Sequence, residues 1–219
     1  MNTAQAKRIL AFVLGVSLSC LSGAFSAPAA GPLKVHPRNP RYFTDGSGKA
    51  VYLTGSHTWD NLLDMGPTDP PPPFDYPAYL DFMVEHNHNF MRLWTWELPT
   101  WNTEANRQKR LHYVRPLVYA RTGPGNALDG KPKFDLTKYD REYFDRLRSR
   151  VTAARDRGIY VSIMLFEGWG VQRIAGVWKF HPFNRENNVN GIDGDKDGDG
   201  KGLEIHELAI PAITALQEA

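Results

Sequence analysis

A long amphipathic helix followed at once by an apolar strand is the strongest structural signal in this 219-residue chain. Residues 139–157 have a helical pattern, and Gly158 is typical of a helix end. The apolar positions that recur at three- and four-residue steps are Tyr143, Leu147, Val151 and Ala154. Residues 159–166 are apolar nearly throughout, which is typical of a parallel strand covered on both faces.

The same alternation of strand and helix precedes this unit. The apolar run 50–55 predicts one strand and 90–94 a second, and Asp75 can cap a helix over 76–85 between them. The order strand, helix, strand, helix, strand indicates an α/β fold. Loops are predicted over 31–50, 65–74, 97–138 and 168–202, and residues 203–219 have the pattern of the start of another helix.

The composition is that of a globular protein with one core, and it argues against disorder. Hydrophobic residues make up 42% of the chain, and 26 basic residues stand against 24 acidic ones. Lys7 and Arg8 are the only charged residues among the first 30, so the remainder has no basic excess. A nucleic-acid partner is therefore not expected.

Residues 1–30 have the pattern of a secretory signal peptide. A positively charged start precedes the apolar stretch 9–21, which is short for a membrane span, and small residues at 24–29 offer cleavage sites. An uncleaved signal anchor is the open alternative. We expect an exported mature chain, 31–219, that forms one domain without membrane attachment. It contains no cysteine, because Cys20 leaves with the signal.

Four stretches, taken in order, resemble a known enzyme family. They are 52–61 (YLTGSHTWDN), 89–97 (NFMRLWTWE), 134–147 (beginning FDLTKY and ending YFDRL) and 157–161 (RGIYV). Together they resemble the N-terminal half of clan A glycoside hydrolases, especially the cellulase-like and apiosidase-like bacterial enzymes. The resemblance implies a (β/α)8 TIM-type barrel that acts on glycosides. Such a barrel needs about 250 residues, so the chain is expected to be an incomplete N-terminal part with about three to four β/α units.

The family's catalytic residues do not carry over to this sequence. In that clan the general acid/base is the Glu of an Asn-Glu pair after strand four, and the nucleophile is a Glu after strand seven. The sequence has no Asn-Glu pair and no fourth predicted strand, although Arg92 corresponds to the strand-two arginine that positions the nucleophile. The resemblance implies hydrolysis of a poly- or oligosaccharide without a required cofactor, but we expect this chain alone to be inactive. A non-catalytic carbohydrate-binding protein is the alternative.

Aromatic and polar side chains follow all three predicted strands, where a barrel has its active site. Indole rings stack on the apolar faces of sugars, and carboxylates, amides and imidazoles bind the hydroxyls. The predicted substrate-binding residues are His57, Trp59, Asn61, Trp96, Glu97, Glu167 and Trp169, with His181 and Asn184 from the loop 168–202. Core packing of the tryptophans and loop anchoring by the last two residues are the open alternatives.

Glu97 and Glu167 are weak candidates for a catalytic pair. Neighbouring strands lie about 4.8 Å apart, and retaining hydrolysis uses carboxyls about 5 Å apart. A role in binding or in setting a pKa, or a structural ion pair, remains open. Arg92 lies in an apolar strand, so we expect its guanidinium to pair with a carboxylate, as a positioning residue or in a structural salt bridge.

An acidic loop near the C-terminus has the spacing of a calcium-binding loop. Its sequence fits D-x-[DN]-x-[DN]-G-x5-E, in which Gly198 permits the sharp turn. The predicted ligands are Asp193, Asp195, Asp197, Asp199 and Glu204. No predicted helix precedes the loop, so a full EF-hand is not expected. A structural Ca²⁺ is the prediction, and a solvated acidic loop is the alternative.

Overall fold

The computed structural model describes residues 27–102 and 111–219. The strands are β1 (Lys34–Val35), β2 (Phe43–Thr44), β3 (Asp64–Gly66), β4 (Phe90–Leu93), β5 (Thr100–Trp101), β6 (His112–Arg115), β7 (Tyr119–Asn126), β8 (Pro132–Tyr139) and β9 (Tyr160–Ile163). The helices are α1 (Tyr76–Glu85), α2 (Arg141–Asp156), α3 (Trp169–Arg173) and α4 (Pro211–Glu218), with 3-10 turns at Val177–Phe180, Arg185–Asn187 and Leu203–His206. The predicted signal peptide, with Cys20, lies outside the described residues up to position 26. None of the described helices is long and apolar enough to span a membrane.

One parallel pair of strands and two helices build the first core. Strands β4 and β9 pair in parallel. Helix α1 begins where Asp75 accepts a hydrogen bond from the N–H of Ala78, and α2 begins where Asp140 accepts one from Glu142. The buried residues that these elements contribute are Tyr76, Leu80, Met83, Met91, Leu93, Tyr143, Ala154 and Ile159. Both helices confirm the prediction from the sequence.

The long connection from β4 to α2, predicted as a loop, contains strands β5 to β8. Strands β3, β6 and β5 form an antiparallel sheet in that order, and β7 pairs with β8 as an irregular hairpin. Within the hairpin, Arg121 pairs with Asp129 and its guanidinium lies 3.9 Å from the centre of the Phe134 ring. The hairpin packs on a second core that includes Phe134, Leu136, Trp178, Phe183, Ile205 and Ile213.

The prediction that the chain forms part of a (β/α)8 barrel is wrong. Among the described strands, β4 and β9 are the one parallel pair, the other sheets are antiparallel with two or three strands, and no barrel is formed. The first predicted strand forms no ladder, since Val51 makes a single bridge to Phe43 and the Thr54 carbonyl accepts from the N–H of Asn89. Antiparallel pairing in the long connection replaces the regular strand–helix–strand alternation that a barrel requires.

Strand β9 carries exposed apolar side chains, so the prediction that both of its faces are covered is also wrong. Ile163 is 41% exposed, and Leu165, just beyond the strand, is 68% exposed. One edge of β9 pairs with β4, and no described strand pairs with the other edge. The apolar run therefore reflects a strand at the edge of a small sheet.

Candidate functional site

Four tryptophans and a histidine line a surface groove of about 470 Å³. They are Trp59, Trp96, Trp101, Trp169 and His112, and the lining is completed by Thr58, Asp60, Met65, Gly66 and Pro67. Trp59 is 45% exposed, whereas Trp96 is buried at the base of the groove. The structure thus brings three of the predicted sugar-binding tryptophans together at one site.

The indole of Trp169 stands at right angles to a stacked pair of indoles. Trp96 stacks on Trp101 with centroids 5.4 Å apart and planes 3° apart. Trp169 stands at 90° to Trp96 and at 88° to Trp101, with centroids 5.9 and 6.3 Å away. Trp59 lies 5.5 Å from Trp169, and His112 stacks on Trp101 at 4.7 Å. Stacked and edge-to-face contacts of this kind stabilise the cluster and give the exposed ring of Trp59 a firm base.

Hydrogen bonds to the backbone fix the segment that carries Trp59. The indole Nε1–H of Trp96 donates to the Trp59 carbonyl at 3.1 Å. Asn61 is fully buried, where its Nδ2 donates to the Arg92 carbonyl at 2.6 Å and its Oδ1 accepts from the Trp94 N–H at 3.1 Å. Asn61 was predicted to bind substrate, but the structure places it behind the groove, where it joins the Trp59 segment to the end of β4.

The two glutamates predicted as a catalytic pair meet directly behind the tryptophans. Glu97 follows Trp96 and Glu167 precedes Trp169 by two residues, and both glutamates are buried. The backbone N–H of Glu167 donates to Glu97 Oε2 at 2.9 Å, and the N–H of Gly170 donates to Glu167 Oε1 at 2.6 Å. Neither carboxyl lines the groove.

Burial sets the protonation of this carboxyl pair. Desolvation raises the pKa of Glu97 to about 8, against a backbone hydrogen bond that lowers it, and the charge of Glu167 adds to the rise. Desolvation also raises the pKa of Glu167 to about 7, although hydrogen bonds from the N–H groups of Gly170 and Trp169 oppose it. At neutral pH Glu97 is therefore largely protonated and Glu167 about half protonated, and both carboxyls accept hydrogen bonds from the backbone behind the groove.

The sequence predicts a carboxylate partner for Arg92, but none of the described carboxylates pairs with it. Its side chain is exposed on the face of β4 that turns away from the core, and it makes no salt bridge with any described residue. Arg92 and His57 line a separate hollow of about 240 Å³. Burial, with a contribution from the charge of Arg92, lowers the pKa of His57. The centroid of the His57 ring lies 5.9 Å from that of Trp59 and 4.9 Å from that of Trp94. His57 is therefore next to the groove but outside its lining.

His181 and Asn184 lie beside Trp178 of the second core and do not line the groove, so the structure does not bring these two predicted residues to the site. His181 is 1% exposed, stacks on Trp178 at 5.2 Å, and accepts at Nδ1 from the Phe183 N–H at 3.1 Å. Asn184 caps a 3-10 turn by accepting from the N–H of Glu186 at 3.0 Å. Because these groups satisfy local backbone, the loop-anchoring alternative describes them correctly.

Three of the five predicted calcium ligands converge. Asp195, Asp197 and Glu204 each offer a carboxylate oxygen within 4.8 Å of the others. Asp195 Oδ1 and Glu204 Oε2 are shielded from solvent and accept no hydrogen bond from a described residue. A backbone hydrogen bond lowers the pKa of Glu204, but desolvation and the charges of neighbouring aspartates outweigh it and raise the pKa. This oxygen donor set fits a hard divalent cation.

The other two predicted ligands are engaged elsewhere. Asp193 Oδ1 accepts from the Asp195 N–H at 3.2 Å, and Asp199 pairs with the Lys201 ammonium at 2.6 Å. Gly198 has a φ of +75°, as the sharp turn of such a loop requires. The arrangement therefore holds a three-carboxylate set, and Asp193 and Asp199 would have to exchange partners to join it.

Two aromatic residues of the groove escaped prediction from the sequence. Trp101 and His112 lie in the connection predicted as loop, and antiparallel pairing of β5 with β6 places them opposite one another. Comparisons with protein-family models, curated proteins and solved structures found no match to this chain. Function therefore has to follow from the chemistry of the groove itself.

Proposed function

We propose that the protein binds a saccharide in the tryptophan groove. The supporting observation is the exposed ring of Trp59 on a base of perpendicular indoles, in a groove whose polar groups are few. Sugar rings have apolar C–H faces edged by hydroxyls, and such faces stack on indole. A groove of about 470 Å³ falls within the usual size range of small-ligand sites.

Burial of the carboxyl pair favours binding over catalysis. Hydrolysis of a glycosidic bond uses two carboxyls that flank the scissile bond. Glu97 and Glu167 lie behind the groove, and Asp60 is the one carboxylate among the described residues that line it. A single carboxylate in contact with the ligand supports recognition of hydroxyls rather than bond cleavage.

Glycoside hydrolysis, which the family resemblance implies, is the second candidate function. The pKa values of Glu97 and Glu167, raised to about 8 and about 7, favour it because a general acid that works near neutral pH needs a raised pKa. We expect no turnover of aryl glycosides or polysaccharides by this chain. Turnover that the substitution Glu167→Gln abolishes would favour hydrolysis over binding.

Calorimetric titration with soluble oligosaccharides tests the binding proposal. Trp59→Ala removes the exposed ring but leaves the Trp59 carbonyl that Trp96 uses, so the fold is expected to persist. We expect it to weaken binding about tenfold or more, as for a tryptophan at the centre of an interface. Tyr52→Ala is the matched control, because Tyr52 is 85% exposed and does not line the groove. Equal loss in both variants, or unaltered binding by Trp59→Ala, would contradict the proposal.

We also propose that the protein is exported. The support is the signal-peptide pattern of residues 1–30, with its apolar stretch and small residues. Sequencing the N-terminus of the secreted chain tests the proposal. A start shortly after residue 26 or residue 29 is expected, and an intact N-terminus on the secreted chain would contradict cleavage.

A further inference from the structure

The lining of the groove carries an acidic side chain without a lysine or arginine to balance it among the described residues. Among the described residues that line it, Asp60 is the single carboxylate and none is a lysine or an arginine. Four of the other nine lining residues are tryptophans, and the π faces of indole attract cations. A ligand with a positive charge would therefore meet favourable electrostatics from both kinds of group.

The geometry leaves the Asp60 carboxylate available to a ligand. Its Oδ1 accepts from the Thr58 hydroxyl at 2.7 Å, which holds the carboxylate in place, and no described residue donates to its Oδ2. The buried guanidinium of Arg150 acts on Asp60 only at a distance, because it pairs with Asp64 at 3.8 Å and donates to the Asn61 carbonyl. No described cation forms a salt bridge with Asp60, so its charge is not neutralised within the described structure.

The right-angled indoles suit an ammonium group beside a sugar ring. Trp59 is 45% exposed, and the planes of Trp169 and Trp101, which also line the groove, stand at 88° to each other. We propose that the groove selects saccharides with free, protonated amino groups, such as glucosamine oligosaccharides, over neutral saccharides of the same length. The amino group would lie against Asp60 while the ring stacks on indole. This inference rests on the proposed saccharide binding and names its ligand class.

Paired titrations test the selectivity. A glucosamine oligosaccharide is compared with the N-acetylglucosamine oligosaccharide of equal length, which has the same linkage but no charge, in mildly acidic buffer. We expect the charged ligand to bind about fivefold more tightly, the size of an exposed ion pair with a cation–π contact. The preference is expected to weaken as salt is added, because salt screens exposed charges.

The substitution Asp60→Asn removes the negative charge but keeps the size of the side chain. Its amide oxygen can still accept the hydrogen bond from the Thr58 hydroxyl. The measured quantity is the ratio of the two affinities within each variant, so a general loss of affinity does not alter the result. We expect the ratio to approach one in Asp60→Asn and to stay near the wild-type value in Asp81→Asn, an exposed aspartate of α1 that does not line the groove. Equal affinities in the wild type, or a preference that survives Asp60→Asn, would overturn the inference while saccharide binding stands. Binding of neither saccharide would instead contradict the proposed function.

Discussion

The backbone N–H of Glu167 donates a 2.9 Å hydrogen bond to Glu97 Oε2, and this contact joins the segment after β9 to the segment after β4. Each glutamate is close in sequence to a tryptophan of the groove, Trp96 or Trp169. The contact is buried, so water does not compete for it. The relative positions of the two indoles thus depend on a carboxyl pair that does not line the groove.

The raised pKa values of this pair in the folded state predict that the free energy of unfolding falls as pH rises. Folding raises the pKa of Glu97 from 4.5 to about 8, so the folded state retains a proton that the unfolded state releases over that range. The free energy of unfolding should drop by at most about 1.4 kcal/mol per pH unit for each such carboxyl. Burial lowers the pKa of His181 from 6.5 to about 3, which adds stability as pH rises to about 6.5. The carboxyl effect is therefore to be measured from about pH 6.5 to about pH 8.

Glu97→Gln provides the variant for this measurement. The amide stays neutral and its oxygen can still accept from the Glu167 N–H, so the decline with pH should become shallower in urea unfolding. Glu85→Gln, at the exposed end of α1, should keep the wild-type slope. A wild-type stability that stays level or rises over this range, or a slope that Glu97→Gln leaves unchanged, would show that Glu97 does not retain a proton in the folded state.

Gly202, which is buried against Trp178 of the second core, and the exposed Gly200 provide a matched pair of substitutions. Both have positive φ values, +61° and +80°, but a Cβ on Gly202 would lie 2.3 Å from the buried ring of Trp178, whereas one on Gly200 would meet nothing within 4 Å. Gly200→Ala should cost about 1–2 kcal/mol for the left-handed backbone. Gly202→Ala should cost about 2–4 kcal/mol, because overpacking adds to the same backbone cost. Equal losses in denaturant unfolding would mean that Trp178 gives way.

Calcium binding by the acidic loop stays a prediction, with three carboxylates in place for it. Adding Ca²⁺ should raise the melting temperature, by the equivalent of about 2.7 kcal/mol at a hundredfold excess over Kd, and a chelator should reverse the effect. The double substitution Asp195→Asn with Asp197→Asn should abolish the rise, and Asp81→Asn should retain it. A titration with neither heat nor a thermal shift would favour the solvated loop.

Local patterns in the sequence predict helices α1 and α2 and the two parallel strands, because their signals are short-range. The 76–85 helix was placed to the residue, and the 139–157 prediction exceeded α2 by only a few positions. The strand over 90–94 corresponds to β4, and 159–166 contains β9. Amphipathic spacing and capping aspartates act within a few residues, so they can be recognised without tertiary contacts.

The long connection could not be predicted in the same way. Strand β7 has the sequence YARTGPGN, which is typical of a turn, and its pairing with β8 depends on tertiary contacts such as Arg121 over Phe134. Because the sequence of that connection predicts a loop, it does not indicate that Trp101 and His112 line the groove. The exposure of Arg92 was missed for a related reason, since an apolar strand does not show which of its faces lacks a covering layer.

Indole N–H signals in a ¹⁵N-labelled sample provide the most direct measurement of where a saccharide binds. The chain has six tryptophans, of which Trp178 lies in the second core and serves as an internal reference. Titration with a glucosamine oligosaccharide or a cello-oligosaccharide should shift the signals of Trp59, Trp101 and Trp169 and leave that of Trp178 in place. Signals that all stay in place, or a shift centred on Trp178, would contradict the assignment of the groove as the saccharide site.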